Sequence, residues 1–156
     1  MQEYFCAGLS NNIYLGLSLE HVDKLIQFQA TDICVIPGIE DFWLGVINYK
    51  SSLLWILDIE KLCDPSKNEL KTKSEQTALI VNYSMENIQK KVALIVESLE
   101  GVVELNSNQE QLSFSTDFPR LQNICDAVIQ QNEKVINLVN TEILLEQLSQ
   151  QSLLSI

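Results

Sequence analysis

The chain has 156 residues, 46% of them hydrophobic and 20% charged, which is room for one ordinary domain or two very small ones. Ten Lys and Arg residues against 21 Asp and Glu residues leave a formal net charge of −11. Because this charge repels phosphate backbones and anionic lipid headgroups, we expect no nucleic-acid partner. The sequence has neither a long apolar run nor a signal peptide, so we also expect a cytoplasmic protein without direct membrane insertion.

The N-terminal third begins with a predicted β-hairpin. Two β-prone runs, Tyr4–Leu9 and Ile13–Leu17, flank a Ser-Asn-Asn turn in which Asn tolerates left-handed backbone angles. Ser18 is then expected to cap a short helical turn through its hydroxyl. Two further extended segments are predicted before the Pro-Gly stop at 37–38, namely Leu25–Phe28 and Ile33–Ile36.

The clearest hairpin is predicted between Gly45 and Asp58. Its apolar arms flank the polar turn Asn48–Ser52, and Asp58 can cap a short helix that runs to Cys63. The polar, lysine-bearing stretch 64–76 that follows contains little apolar sequence. It is therefore interpreted as a loop between two half-domains.

The second half repeats this alternation of strands and turns. A third hairpin is predicted from Thr77–Tyr83 and Lys91–Val96, with a longer or bulged turn between them. Leu121–Ile129 and Lys134–Val139 form a predicted fourth, and a C-terminal helix covers Thr141–Leu148. Short strands without long connecting helices indicate small antiparallel barrels or a sandwich.

Two internal matches suggest a duplication. Ser18–Leu25 resembles Ser98–Leu105 at an offset of 80 residues, and the hairpin beginning at Val46 resembles the one beginning at Val128 at an offset of 82. We therefore predict a single domain over 1–156 with two similar subdomains, at about 15–75 and 76–140, across which the termini pack. Each half is marginal alone, so a shared core is expected, filled in part by the two tryptophans, Trp43 and Trp55.

No pattern in the chain predicts an enzyme, a cofactor or a metal site. The only histidine, His21, has no nucleophile and orienting acid near it in sequence. The five glycines are scattered, and no phosphate-binding loop occurs. The four cysteines lack metal-ligand spacing and are interpreted as small buried hydrophobic residues, at Cys6, Cys34, Cys63 and Cys125.

A small β-protein without a catalytic constellation most often works by binding. The turn of the central hairpin places Tyr49 beside Lys50 in a chain that is short of cations. An aromatic residue next to a cation is a useful combination at interfaces. On pattern alone, this turn is either a binding surface or simply a turn that tolerates polar residues.

The order of the residues resembles the CheW-like domain. Ile36-Pro37 through Lys50, followed by Leu54–Leu62, is similar to that family's I-P-x-x-x-x-[FW]-x-x-G-[VI]-x-N-x-R-G run and the strand after it. Val92–Val103 and Val135–Leu144 resemble the family's later strand and its closing segment. Together these segments extend over nearly the whole chain.

The resemblance implies a mainly β fold of two intertwined five-stranded SH3-like barrels with short helices and a C-terminal helix. It implies a non-catalytic adaptor that couples the cytoplasmic tail of a methyl-accepting chemoreceptor to the regulatory domain of a CheA-type histidine kinase, in chemotaxis or pilus motility. The partner-binding residues carried over by position are Val22, Lys24, Gly45, Asn48, Tyr49 and Lys50.

The chain departs from the family pattern at its most specific turn. Lys50-Ser51 replaces the family's Arg-Gly, so a forked guanidinium becomes a point charge and a glycine is lost. Lys24 stands where many members carry an acid. The alternative hypothesis is a β-barrel small-molecule or sensory binding protein that kept the fold without the signalling complex, and a cysteine-dependent enzyme ranks third.

Overall fold

The computed structural model describes residues 2–66, 73–106, 111–114 and 119–151. Two β-sheets dominate this part of the chain, and the predicted mainly β fold is confirmed. The strands are β1 (Gln2–Gly8), β2 (Tyr14–Ser18), β3 (Val22–Gln29), β4 (Trp43–Tyr49), β5 (Ser52–Leu57), β6 (Glu75–Met85), β7 (Ile88–Val96), β8 (Ser98–Leu105), β9 (Gln111–Leu112), β10 (Cys125–Gln131) and β11 (Lys134–Val139).

Two α-helices follow the two similar hairpins. Helix α1 (Ile59–Cys63) starts where the Asp58 carboxylate accepts a hydrogen bond from the Lys61 backbone N–H at 3.2 Å, which confirms the predicted cap. Helix α2 (Thr141–Gln151) follows β11. The other predicted cap is wrong: Ser18 precedes a 3₁₀ turn at Leu19–His21, but its side chain makes no capping bond, because Ser18 is buried at the end of β2.

Each sheet combines strands from both halves of the chain. The order is β8-β1-β2-β11-β10-β9 in one sheet and β3-β6-β7-β5-β4 in the other. Strand β3 leaves the first hairpin to pair with β6, and β8 returns from the second half to pair with β1. Because of this exchange, the two halves cover one another's sheet edges.

The register of the pairing defines which residues are equivalent. One row across the second sheet runs Gly45, Ile56, Ala93, Ile80, Lys24. The matching row across the first sheet runs Ala127, Leu138, Gly16, Cys6, Gly101. The offset of 82 is therefore correct for β4 and β5, whereas the offset of 80 is wrong: the backbone equivalent of Lys24 is Gly101, 77 residues on.

Buried side chains form three clusters. One lies within the second sheet, from Phe28 to Ile95, and includes residues of all five of its strands, as expected for a sheet curled into a barrel. A smaller one lies within the first sheet, around Cys6 and Ile136. The largest lies between the two, where Trp43 and α2 residues such as Leu145 pack together. The predicted shared core is present, although Trp55 is only partly buried against it.

Several predicted boundaries differ from the structure. Ile33–Ile36 makes only an isolated bridge, from Cys34 to Val46, because a 3₁₀ turn at Ala30–Asp32 precedes this segment and Pro37, which has no backbone N–H, follows it. Cys34 is exposed, which corrects its predicted burial. The third hairpin closes in a two-residue turn at 86–87, and its strands are longer than expected.

Two other segments need separate mention. The segment predicted as a strand from Leu121 starts instead with a 3₁₀ turn, Leu121–Ile124, before β10. Of the predicted loop 64–76, residues 67–72 lie outside the described residues, and β6 begins at Glu75.

Candidate functional site

The central hairpin has a tight two-residue turn. Tyr49 pairs with Ser52, so that only Lys50 and Ser51 connect β4 and β5. Both have left-handed φ angles, +49° and +65°, which is the backbone that matches the twist of two paired strands. The turn forms without the glycine of the family pattern, and its short length fixes the position of Lys50.

Closure of the barrel brings Lys24 to this turn. Strands β3 and β4 are the two ends of their sheet, yet the side chain of Lys24 in β3 contacts that of Lys50. A β-bulge at Asp23 shifts the register of β3 directly before Lys24, and bulges often re-aim a neighbouring side chain. Contact with Lys50 lowers the pKa of Lys24 and contact with Lys24 raises the pKa of Lys50, while the nearby Asp23 carboxylate favours the charged form of both side chains.

Two further charged residues complete the cluster. Lys91 of β7 donates to the Asp23 carboxylate at 3.2 Å, and the Lys50 Nζ atom lies 5.4 Å from the centre of the Tyr49 ring. Lys91 also contributes to the lowered pKa of Lys24. The sequence analysis missed Lys91 and Asp23, since only strand pairing shows that β7 and β3 bring them together. We call Lys24, Lys50 and Lys91 the lysine cluster.

The other predicted site residues have different surroundings. Asn48 is exposed on β4. Tyr49 is half-buried and packs against the apolar side chains enclosed by the second sheet. Val22 is half-buried and packs against the core between the barrels. Gly45 is buried at φ +139°, where a Cβ atom would collide with the Cys34 backbone carbonyl. The structure therefore brings Lys24, Asn48, Tyr49 and Lys50 to one barrel end and gives Val22 and Gly45 packing positions.

The reactive side chains are the histidine and the cysteines. The His21 ring packs edge-on against Tyr83 with ring centres 4.9 Å apart and lies 3.7 Å from the Glu20 carboxylate. Burial raises the pKa of the Cys63 thiol to about 12 and also raises the pKa of Cys125. Among the described residues, no group of three or more His, Cys, Asp and Glu side chains is placed to hold a metal ion.

Two cavities are lined by other residues. One of about 210 Å³ has a polar lining that includes His21, Tyr83 and the start of α2. The other, of about 400 Å³, lies beside α1 and is lined by Phe42, Leu62, Pro65 and four charged residues. None of the predicted partner-binding residues lines either cavity.

Comparison with known families agrees with the resemblance noted in the sequence. The sequence model of the CheW-like domain matches residues 3–149. The chain belongs to the CheW-like family. The members of this family are scaffolds and adaptors of chemotaxis signalling, and they are generally non-catalytic.

A solved structure similar to this CheW-like chain is the scaffolding protein TtCheW from Thermoanaerobacter tengcongensis. The two share a TM-score of 0.68 and 18% sequence identity, over 89% of this chain and 84% of that one. At this identity, the likeness shows a common fold. No curated protein matches the sequence. The described helices include none with the length and apolar character needed to cross a membrane.

Proposed function

We propose that this CheW-like chain is a cytoplasmic, non-catalytic adaptor that couples a chemoreceptor tail to the regulatory domain of a CheA-type histidine kinase. The signalling system is either flagellar chemotaxis or pilus motility. The observation that carries the proposal is the exposed set Lys24, Asn48 and Lys50 at one barrel end. These are positions at which the family resemblance implies partner contacts.

The structure of this end suits a binding surface. The Lys50 turn is short and lies on two paired strands, so that little conformational freedom is lost when a partner binds. Two large apolar side chains close to these lysines in the chain are exposed as well: Leu53 on β5, three residues after Lys50, with 70% of its surface, and Leu25 on β3, directly after Lys24, with 41%. Apolar contact area beside a fixed cation is typical of protein interfaces, which supports a protein partner over a small molecule.

Purified components test the proposal directly. The chain is mixed at micromolar concentrations with the kinase regulatory domain and with the receptor tail of the same organism, and complexes are separated by size-exclusion chromatography. We expect a complex with each partner. If neither partner is retained, the adaptor function is wrong.

A single variant localises the receptor surface. Lys50→Glu should weaken receptor binding at least tenfold while the melting temperature stays within about 2 °C, because the Lys50 side chain is exposed. Lys73→Glu is the matched control, since Lys73 is also exposed and belongs to the segment before β6. A large loss of stability in Lys50→Glu would instead give Lys50 a structural role.

A further inference from the structure

The cavity at the start of α2 has an acidic wall. Its volume of about 210 Å³ is smaller than the roughly 300–1,000 Å³ of pockets for drug-sized molecules, so it suits a ligand of a few heavy atoms. Three carboxylates from different elements line it: Glu20 in the 3₁₀ turn before β3, Asp126 in β10 and Glu142 in α2. None of the described residues that line it is Lys or Arg. The wall therefore carries three negative charges, and a protonated His21 would still leave two.

Neutral donors hold two of these carboxylates without cancelling their charge. The Tyr83 hydroxyl donates to Glu142 at 3.1 Å, and the Asn140 side-chain amide donates to Asp126 at 3.0 Å. Within the part of the chain that the structure describes, neither carboxylate forms an ion pair with Lys or Arg. The hydrogen bond to Glu142 raises the pKa of the Tyr83 hydroxyl, and burial and the charges of nearby glutamates raise it further. The potential at the cavity is therefore negative.

Two residues of the cavity wall have a buried polar atom without a hydrogen-bond partner among the described residues. These atoms are the hydroxyl oxygen of Thr141, a residue that is only 2% exposed, and Nδ1 of His21. His21 Nε2 lies 3.7 Å from the Glu20 carboxylate, which favours the proton on Nε2 and leaves Nδ1 as an acceptor. A buried polar atom without a partner costs free energy, so a ligand that donates N–H bonds to these atoms would be stabilised.

The dipole of α2 does not reverse the preference for a cation. A helix N-terminus carries about +0.5 elementary charge, which is much less than the three negative charges of the wall. That end is also capped already, because the Asn140 side-chain oxygen accepts from the Ile143 N–H at 3.0 Å. A metal ion is a poor occupant, since no group of three His, Cys, Asp and Glu side chains in the described ranges is close enough to hold one. An organic cation with several N–H donors reaches acceptors that lie farther apart.

We propose that this cavity binds a small guanidinium compound, whose N–H groups donate to Asp126, Glu142 and the Thr141 hydroxyl. A planar guanidinium matches acceptors on several elements, and it offers more N–H donors than an ammonium group. Tyr4 and Tyr83 also line the cavity, and aromatic rings attract guanidinium ions to their faces. None of the predicted partner-binding residues lines the cavity, so the inference goes beyond the adaptor function and does not depend on it.

A pair of probes with the same shape separates charge from size. Methylguanidinium carries the charge, and methylurea has nearly the same outline without it. In a ¹⁵N chemical-shift titration of the full chain at constant ionic strength, methylguanidinium should shift the amides of residues 20–21, 83, 126 and 140–142, with a Kd of about 1–5 mM. Equal shifts with methylurea, shifts confined to other residues, or no saturation by about 20 mM would overturn the inference.

Conservative variants test the named acceptors. Asp126→Asn with Glu142→Gln removes two charges, while each new amide oxygen can still accept the existing hydrogen bond. This double variant should bind methylguanidinium at least about tenfold more weakly, and Glu133→Gln, at an exposed residue outside the cavity, should change the Kd less than about twofold. Thr141→Val should weaken binding about threefold without lowering the melting temperature, because it removes a hydroxyl that has no partner. Unchanged affinity in either cavity variant would overturn the inference.

Discussion

Gly45→Ala is expected to destabilise the protein more than the replacement by alanine of a glycine that has free space around it. Gly45 has φ +139°, a region that is costly for a residue with a side chain. A Cβ atom there would meet the backbone of Cys34, which cannot move away without breaking its two hydrogen bonds to Val46, of 2.8 and 3.0 Å. The single bridge that holds residues 33–36 to β4 therefore requires a glycine at position 45.

The magnitude follows from these two effects. Backbone strain of this kind contributes about 1–3 kcal/mol, and each lost hydrogen bond about 0.5–1.5 kcal/mol. Their sum is about 2–6 kcal/mol, which corresponds to a fall in melting temperature of about 5–20 °C for a chain of this length. Gly38→Ala is the control, because Gly38 has φ +81° but no atom lies within 4 Å of its added Cβ. It should lose only about 1–2 kcal/mol.

Urea denaturation followed by tryptophan fluorescence measures both variants. Trp43 is buried two residues before Gly45 and packs against Trp55 with ring centres 5.5 Å apart, so its emission reports this region. If the unfolding free energies of the two variants agree within about 0.5 kcal/mol, the close contact between position 45 and the Cys34 backbone does not contribute to the loss of stability, and the prediction is refuted. Receptor binding by folded Gly45→Ala should remain, since Gly45 presents no side chain to the lysine cluster.

Three further results are expected. Ser51→Gly should raise the free energy of unfolding by about 0.5–1 kcal/mol, because glycine adopts the φ of +65° at this position without steric strain. The control Ser52→Gly, in β5, should lower the free energy of unfolding. No gain from Ser51→Gly would contradict the turn geometry. Iodoacetamide at pH 8 should alkylate exposed Cys34 long before buried Cys63, and mass spectrometry that finds equal rates would contradict their burial. Burial raises the pKa of the Cys63 thiol from 9.0 to about 12, so the unfolded chain loses this proton first and stability should fall above pH 9, by about 1 kcal/mol at pH 10. Cys63→Ala should show a shallower fall in urea midpoints with pH, and parallel pH curves for the two proteins would contradict the shift.

The fold was predictable because its signal lies in buried positions. Alternating apolar residues define β4 and β5, and the Asp58 cap follows from a local rule that the structure confirms. The segment 33–36 shows the limit of this reasoning. Its apolar residues suit a strand, but the neighbouring edge of β4 offers a single pairing position, and that depends on tertiary structure.

The candidate site was predictable only in part. Family resemblance pointed to the turn around Lys50 and to Lys24, which are 26 positions apart, but nothing in the sequence shows that their side chains interact. That contact requires the sheet to close, and the role of Lys91 requires β7 to lie between the hairpin and β6. Propensity and spacing describe neighbours along a strand, whereas charge clusters arise from neighbours across strands.

The duplication explains why the interior and the surface give different information. In the matching rows of the two sheets, Ile56 corresponds to Leu138 and Ile80 to Cys6, all of them buried. The last position of each row is exposed or near the surface, and there Lys24 corresponds to a glycine. Packing therefore requires apolar side chains at the interior positions of both halves, whereas it places no such demand on the charge at the barrel end. The proposed partner contacts accordingly lie at positions that carry no folding signal, and a repeat found in the sequence cannot transfer a binding site from one barrel to the other.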